Sequence, residues 1–147
     1  DICLPVLTGL HKKTMIENCF ISDERSSSSG HQIGTDKDEN GKKFDVKQKY
    51  PLLIFSIDDF INIFEIDCPN YIKIDVDGCE NEIIEGMKGT LLNKNLKSIC
   101  IELNMDKESK EILNKKFLKL GFTTENKFNS HPNHSRIRRQ NKENSFC

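Results

Sequence analysis

Hydrophobic and polar positions follow two different periods around the middle of this 147-residue chain. Residues 71–76 are mostly β-formers that follow a Pro-Asn turn signal, and acidic residues and Gly78 mark their end. After Gly78, the apolar residues recur on one face of a helix. This face consists of Cys79, Ile83, Ile84 and Met87, with Glu80, Glu82 and Glu85 turned away from it. The pattern therefore predicts a buried strand, a glycine-marked turn and a helix.

The rest of the chain repeats this alternation. Strands are predicted over residues 1–7, 14–21, 51–55, 96–103 and 122–128, with a turn at 8–9. Helices are predicted from an N-cap at Ser56 and over residues 108–120, where Gly121 follows as a C-terminal cap. In the second of these helices the residues expected to face inward are Ile112, Leu113, Phe117 and Leu120. Strands that alternate with helices predict an α/β fold with a mainly parallel sheet and flanking helices.

Two segments lack this periodicity. Residues 22–49 contain few apolar positions and are predicted to form a long polar loop, in which His31 lies between two glycines as a candidate binding residue. Residues 129–147 are also polar and predict a flexible tail. The predicted organisation is therefore one domain over residues 1–128, with the loop as an insertion, followed by the tail.

Composition narrows the classes of partner and compartment. The net charge of −1 gives no reason to expect nucleic acid or an anionic membrane as a partner, and no apolar run is long enough to span a bilayer. Six cysteines occur without a C-x-x-C pair, and Cys79 and Cys100 lie at predicted core positions as thiols. These features favour a reduced, cytoplasmic location over an extracellular disulfide framework.

Candidate chemistry concentrates where the central strand ends. Asp75 and Asp77 alternate along the strand, so they can share a divalent ion. An EF-hand loop is excluded, because taking Gly78 as its glycine puts Lys73 and Ile84, which are unsuitable metal ligands, at ligand positions. Asp75 with Glu80 also suits general acid–base chemistry, and Asp75 alone could cap the following helix. The sequence has no P-loop, no G-x-S-x-G elbow and no glycine-rich dinucleotide turn. The residues alone leave these alternatives open.

Four segments together resemble the FkbM-type methyltransferases, most clearly from residue 55 to residue 121. The segments are Ile-Asp-Asp-Phe at 57–60, Pro-Asn-Tyr-Ile-Lys-Ile-Asp-Val-Asp-Gly-Cys-Glu at 69–80, Ile-Glu-Gly-Met at 84–87 and Leu-Lys-Ser-Ile-Cys-Ile-Glu-Leu at 96–103. The resemblance implies a Rossmann-like methyltransferase domain that uses S-adenosylmethionine, mainly for O-methylation. Its glycine-rich cofactor turn would precede Asp1, so the chain is expected to be the carboxyl-terminal part of such a domain. The final apolar strand of the family is expected to be missing or displaced.

The resemblance also implies roles for individual residues. Asp75 would end the fourth strand of the methyltransferase sheet, beside the methyl donor and a small-molecule hydroxyl acceptor, and orient the acceptor or take its proton. Glu80 would be the second catalytic acid and fix the loop or the acceptor. The substrate-binding residues would be Asp77, Gly78, Glu102 and His31. The rival hypotheses are a non-catalytic α/β module that binds a ligand or partner at the same edge, and a divalent-ion site at Asp75 and Asp77.

Overall fold

The computed structural model describes residues 3–22, 31–38, 41–76, 78–102, 107–125 and 134–140. Their contacts divide the chain into two compact units. The first unit combines residues 1–66 with 77–88, and the second combines 67–76 with 89–147. Each unit contains its own four-stranded sheet, so the architecture is mixed α/β.

The first unit is built around two long antiparallel strands. Its elements are β1 (Gly9–Leu10), β2 (Met15–Ile21), β3 (His31–Ile33), β4 (Gln48–Phe55), α1 (Ile57–Ile63) and α2 (Glu80–Glu85). The strand order is β1-β4-β2-β3, in which only the β1–β4 pair is parallel. The predicted strand at 14–21 is confirmed by β2, and the predicted N-cap is confirmed because the Ser56 hydroxyl accepts the Asp59 N–H at 3.0 Å.

The second unit pairs two parallel strands with an antiparallel hairpin-like pair. Its elements are β5 (Tyr71–Ile74), α3 (Lys88–Leu92, whose first residue belongs to the first unit), β6 (Ser98–Glu102), α4 (Lys107–Lys119), β7 (Phe122–Glu125) and β8 (His134–Arg139). The strand order is β5-β6-β8-β7. The β5–β6 pair is parallel, whereas β8 runs antiparallel to both β6 and β7.

The two faces of this second sheet differ in polarity. One face aligns Ile74 with Ile101, and Ile99 with Ile137, all of them buried. Phe122 of β7 is buried on the same face and meets the Phe117 ring of α4 edge-on, with ring centroids 6.0 Å apart. The other face aligns Tyr71 with Ser98 and Lys73 with Cys100. The alternation explains why β5 is half exposed instead of the fully buried strand that its composition predicted.

Several predictions of the sequence pattern are wrong. The sheets are mixed and not mainly parallel. No strand or helix covers residues 3–8, and the predicted turn at Gly9 is instead the start of β1, while residues 1–2 lie outside the described part of the chain. The polar loop predicted over 22–49 contains β3 and the start of β4. Short strands of mixed polarity give no clear period, which is why the sequence pattern missed them.

The tail predicted from residue 129 is wrong over β8. This strand alternates polar residues with a single buried apolar residue, Ile137, so its sequence shows no hydrophobic run. Its pairing with β6 and β7 nevertheless makes it a central strand of the second sheet. The predicted boundary at 128 consequently falls inside the second unit. The remaining tail residues, 129–133 and 141–147, lie outside the described residues.

Side-chain burial corrects two further details. Ile112 is 61% exposed, whereas Leu113 and Phe117 are buried as expected. The thiols of Cys79 and Cys100 are half-buried where full burial was predicted. Within the described residues, no helix combines the length and the apolar character needed to cross a membrane.

Candidate functional site at the carboxyl ends of β5 and β6

Two acidic residues stand at one edge of the second sheet. The parallel strands β5 and β6 are in register through Ile74 and Ile101, so their carboxyl ends lie side by side. Asp75 directly follows β5, and Glu102 is the last residue of β6. Extending the register by one residue aligns Asp75 with Glu102. In α/β sheets, ligands bind outside the carboxyl ends of parallel strands.

Asp75 is accessible at this edge and forms an ion pair. Its side chain is 43% exposed, and its Oδ2 atom lies 2.5 Å from Nζ of Lys73, two residues earlier on the same side of β5. The hydrogen bond and the charge of Asp75 raise the pKa of Lys73 above its ordinary value, with smaller contributions from Cys100 and Glu102. A polar group of four residues therefore lies on the sheet, formed by Lys73, Asp75, Cys100 and Glu102.

Gly78 and Glu80 belong to the first unit and shape the turn into α2. Gly78 has a φ of +104°, a conformation that glycine adopts without a steric penalty. Glu80 is the first residue of α2 and is only 5% exposed. Its Oε1 atom accepts the Gly78 N–H at 3.4 Å. This contact favours a role for Glu80 in holding the turn.

The structure says less about the roles of the remaining predicted site residues. His31 begins β3 in the first unit, is exposed, and pairs with Ile21 across the β2–β3 ladder. Asp77 lies outside the described residues, so its substrate-binding role stays a prediction. The roles assigned to Gly78, Glu80, Glu102 and His31 from the sequence likewise stay predictions.

The structure bears on the alternatives for Asp75. The N-cap position of α2 is Cys79, four residues beyond Asp75, and capping of this helix by the Asp75 side chain stays a prediction. Among the described residues, no three His, Cys, Asp or Glu side chains converge as a metal site. A two-carboxylate ion site would need Asp77 and stays a prediction.

Two contacts of the structure are not evident from the sequence pattern. The pattern marks Lys73 only as a strand residue, although a lysine and an aspartate two positions apart on a strand point to the same side and can pair. The other is the partner of Asp59, the second acid of the Ile-Asp-Asp-Phe segment. That partner is Thr14, which local patterns cannot identify because it is remote in the sequence.

Comparison with known proteins adds one finding. A family model described as the methyltransferase FkbM domain matches residues 8–140, which is most of the chain. The matched range contains every strand and helix that the structure describes, including the edge that carries Asp75 and Glu102. No curated protein and no solved structure gives a match.

Proposed function

The chain belongs to the FkbM methyltransferase family, and from this membership we propose that it acts in S-adenosylmethionine-dependent methylation of a hydroxyl group on a sugar or small metabolite. The observation that carries the proposal is the family match over both sheets, which includes an exposed carboxylate at the carboxyl edge of a parallel strand pair. The proposal includes a Rossmann-like arrangement of the domain and a location in the reduced cytoplasm. The described cysteines, which are present as thiols, are compatible with that compartment.

The residues at the edge suit the chemistry of the cofactor. S-adenosylmethionine carries a sulfonium, an ammonium group and ribose hydroxyls, and it supplies an electrophilic methyl group when bound. Asp75 and Glu102 offer carboxylate oxygens that accept hydrogen bonds from hydroxyl groups and attract positive charge. Asp75 is exposed and Glu102 is half-buried, so both are candidates to contact the cofactor or the acceptor.

Asp75 is the residue best placed to handle the acceptor. Its carboxylate can accept a hydrogen bond from the acceptor hydroxyl and fix the direction of the oxygen lone pair. When the acceptor takes up the methyl group that the bound donor would supply, the carboxylate would accept the hydroxyl proton. Holding two reactants in line accounts for a large share of enzymatic rate enhancement, so orientation by Asp75 matters at least as much as its basicity.

Glu80 acts on the turn before α2 in this proposal and does not contact the acceptor. Because its side chain is buried against the Gly78 amide, it stabilises the turn between β5 and α2. A substitution at Glu80 is therefore expected to alter the shape of the turn before it alters proton transfer.

Calorimetric titration of the full chain with S-adenosylmethionine tests the proposal. Binding heat is expected for the wild type, followed by transfer of labelled methyl groups to members of a panel of sugars and hydroxylated metabolites. Asp75→Asn should abolish most transfer while the protein stays folded. Asp45→Asn, at an exposed residue of the first unit, is the matched control and should behave as the wild type.

The same titration separates the rival functions. A folded wild-type chain that gives no heat with S-adenosylmethionine would contradict the proposed function and favour a non-catalytic module. Heat with Mg²⁺ or Ca²⁺ that Asp75→Asn removes would instead support the divalent-ion site.

A further inference from the structure

The ion pair between Lys73 and Asp75 is expected to add little to the stability of the fold. The two side chains are 64% and 43% exposed, and exposed ion pairs contribute little to folding because water screens them and ordering the side chains costs entropy. Yet Nζ of Lys73 lies 2.5 Å from Oδ2 of Asp75, at the edge where the acceptor is expected. A close pair at such a position points to a role in the site.

The surroundings of Lys73 explain how it can act. Cys100 is its direct neighbour across the parallel ladder, and Glu102 lies one pleat further along β6 on the same face. Asp75 and Glu102 are both acids, so two carboxylates at this edge would repel each other. The cation of Lys73 lies close enough to both for each of them to raise its pKa.

We propose that Lys73 is a positioning residue that holds Asp75 as an oriented carboxylate toward the acceptor hydroxyl, an inference that rests on the methyl-transfer function proposed above. Lys73 donates to Oδ2 and thereby fixes the plane of the carboxylate. The neighbouring positive charge also keeps Asp75 ionised, so that it accepts a hydrogen bond from the acceptor and does not donate one.

The chemical step then runs with its charges balanced. With S-adenosylmethionine bound, the acceptor oxygen would take the methyl group, and the carbon–sulfur bond would break with its electron pair left on sulfur. The hydroxyl proton moves to the Asp75 carboxylate. Because Lys73 disfavours protonation of its partner, this transfer occurs late, and the earlier contribution of Asp75 is orientation.

The first test needs neither cofactor nor acceptor. Nuclear magnetic resonance titration of the lysine side chains in the full chain should give Lys73 a raised pKa, which returns toward the ordinary lysine value in Asp75→Asn. A Lys73 titration that is identical in the wild type and in Asp75→Asn would overturn the inference by showing that the pair does not form in solution.

The second test uses methyl transfer from S-adenosylmethionine to an acceptor found in the panel. Lys73→Met is expected to lower kcat by about 100-fold through misorientation. The KM for the cofactor should change little, and the acidic limb of the pH profile should move to higher pH because the carboxylate loses its cation. Lys73→Arg should restore most of the activity and the original profile, which a purely structural role would not predict.

Lys97→Met is the matched control for this test. Lys97 is exposed, lies just before β6 at the end opposite Glu102, and uses its backbone for the contacts with Asn70 and Arg139. It should retain wild-type kinetics. Wild-type kcat and an unchanged pH profile in Lys73→Met would overturn the role of Lys73 and leave the proposed function standing. A wild type that fails to bind S-adenosylmethionine would contradict the proposed function as well.

Discussion

The Thr14 hydroxyl donates a 2.5 Å hydrogen bond to Oδ2 of Asp59, across 45 positions of sequence. The same hydroxyl accepts the Ser56 N–H at 3.2 Å, and the Ser56 hydroxyl accepts the Asp59 N–H at 3.0 Å. These bonds close a ring that joins the segment before β2 to the first turn of α1. The second acid of the Ile-Asp-Asp-Phe segment therefore stabilises the start of a helix.

Ser56→Ala should destabilise the protein by about 1 kcal/mol, because the first turn of α1 loses its capping acceptor. Urea denaturation followed by circular dichroism measures the change. Ser56→Gly should cost only about a few tenths of a kcal/mol, because glycine is tolerated at N-cap positions. An unchanged free energy of unfolding in Ser56→Ala would show that the hydroxyl does not act as a cap.

Thr14→Val should change the pH dependence of stability. Hydrogen bonds from Thr14 and then from Ser56 lower the pKa of Asp59 below its ordinary value of 3.8. A lowered pKa adds stability above the pKa of the unfolded chain and loses it as pH falls through the lower folded value. The wild type should therefore exceed Thr14→Val in stability near neutral pH, with the difference shrinking below pH 3.8. A difference that stays constant from neutral to acidic pH would contradict this linkage.

Local patterns explain why part of this arrangement was predictable. The sequence predicts Ser56 as an N-cap because this serine comes before two acids and an apolar stripe. Asp75 was found at the end of β5 by the same kind of local evidence, in which a strand runs into a glycine turn. Thr14 was missed because its partners are distant in the sequence. Contacts of that kind are set by the tertiary fold.

The strand β8 is an element that local sequence patterns do not predict. Its residues carry three arginines and one buried apolar side chain, so neither periodicity nor composition marks it as a central strand. Pairing on both sides, to β6 and β7, supplies the backbone hydrogen bonds that hold it. The hydrophobic pattern also does not predict that the sheets are mixed, because the direction of a strand depends on which strands it pairs with.

Arg139→Met should destabilise the protein by about 2–4 kcal/mol. The guanidinium group donates to the backbone carbonyls of Leu91 at 2.7 Å, Asn93 at 2.9 Å and Leu96 at 2.9 Å, and it lies 4.4 Å from the centre of the Phe122 ring. Removing it leaves these carbonyls without a charged donor. Chemical denaturation of the full chain gives the free energy of unfolding.

Two variants sharpen the Arg139 prediction. Arg139→Lys should recover only part of the loss, because one ammonium cannot reproduce the planar fork that reaches several carbonyls. Arg138→Met, at the exposed neighbouring residue, should change stability by no more than about 0.5 kcal/mol. Similar losses at Arg138 and Arg139 would mean that net charge, not these contacts, is responsible.

Gly86→Ala should destabilise the first unit by about 1–3 kcal/mol, as overpacking does in well-packed interiors. A Cβ atom at Gly86 would lie 2.3 Å from the His11 carbonyl oxygen and 3.1 Å from Cα of Lys12, and the Gly86 carbonyl accepts the Asp58 N–H at 3.1 Å. The backbone must therefore shift to admit a methyl group. Gly121→Asn is the comparison, because nothing lies within 4 Å of a Cβ there and the expected cost is limited to the strain of its φ of +81°, which asparagine adopts more readily than most residues. Thermal unfolding temperatures that rank the two variants equally would contradict the steric argument.

The inward face of α4 can be tested with two substitutions on the same helix. Phe117 is fully buried against the Phe122 ring, so Phe117→Ala should cost about 3–5 kcal/mol through lost contacts and a cavity. Ile112 was predicted to face inward with Leu113, but it is 61% exposed and points about 100° away from the buried direction of Leu113 on the helix. Ile112→Ala should therefore change stability by no more than about 0.5 kcal/mol. Denaturation curves for both variants measure the contrast, and a loss at Ile112 comparable with that at Phe117 would show that α4 is rotated about its axis relative to the structure.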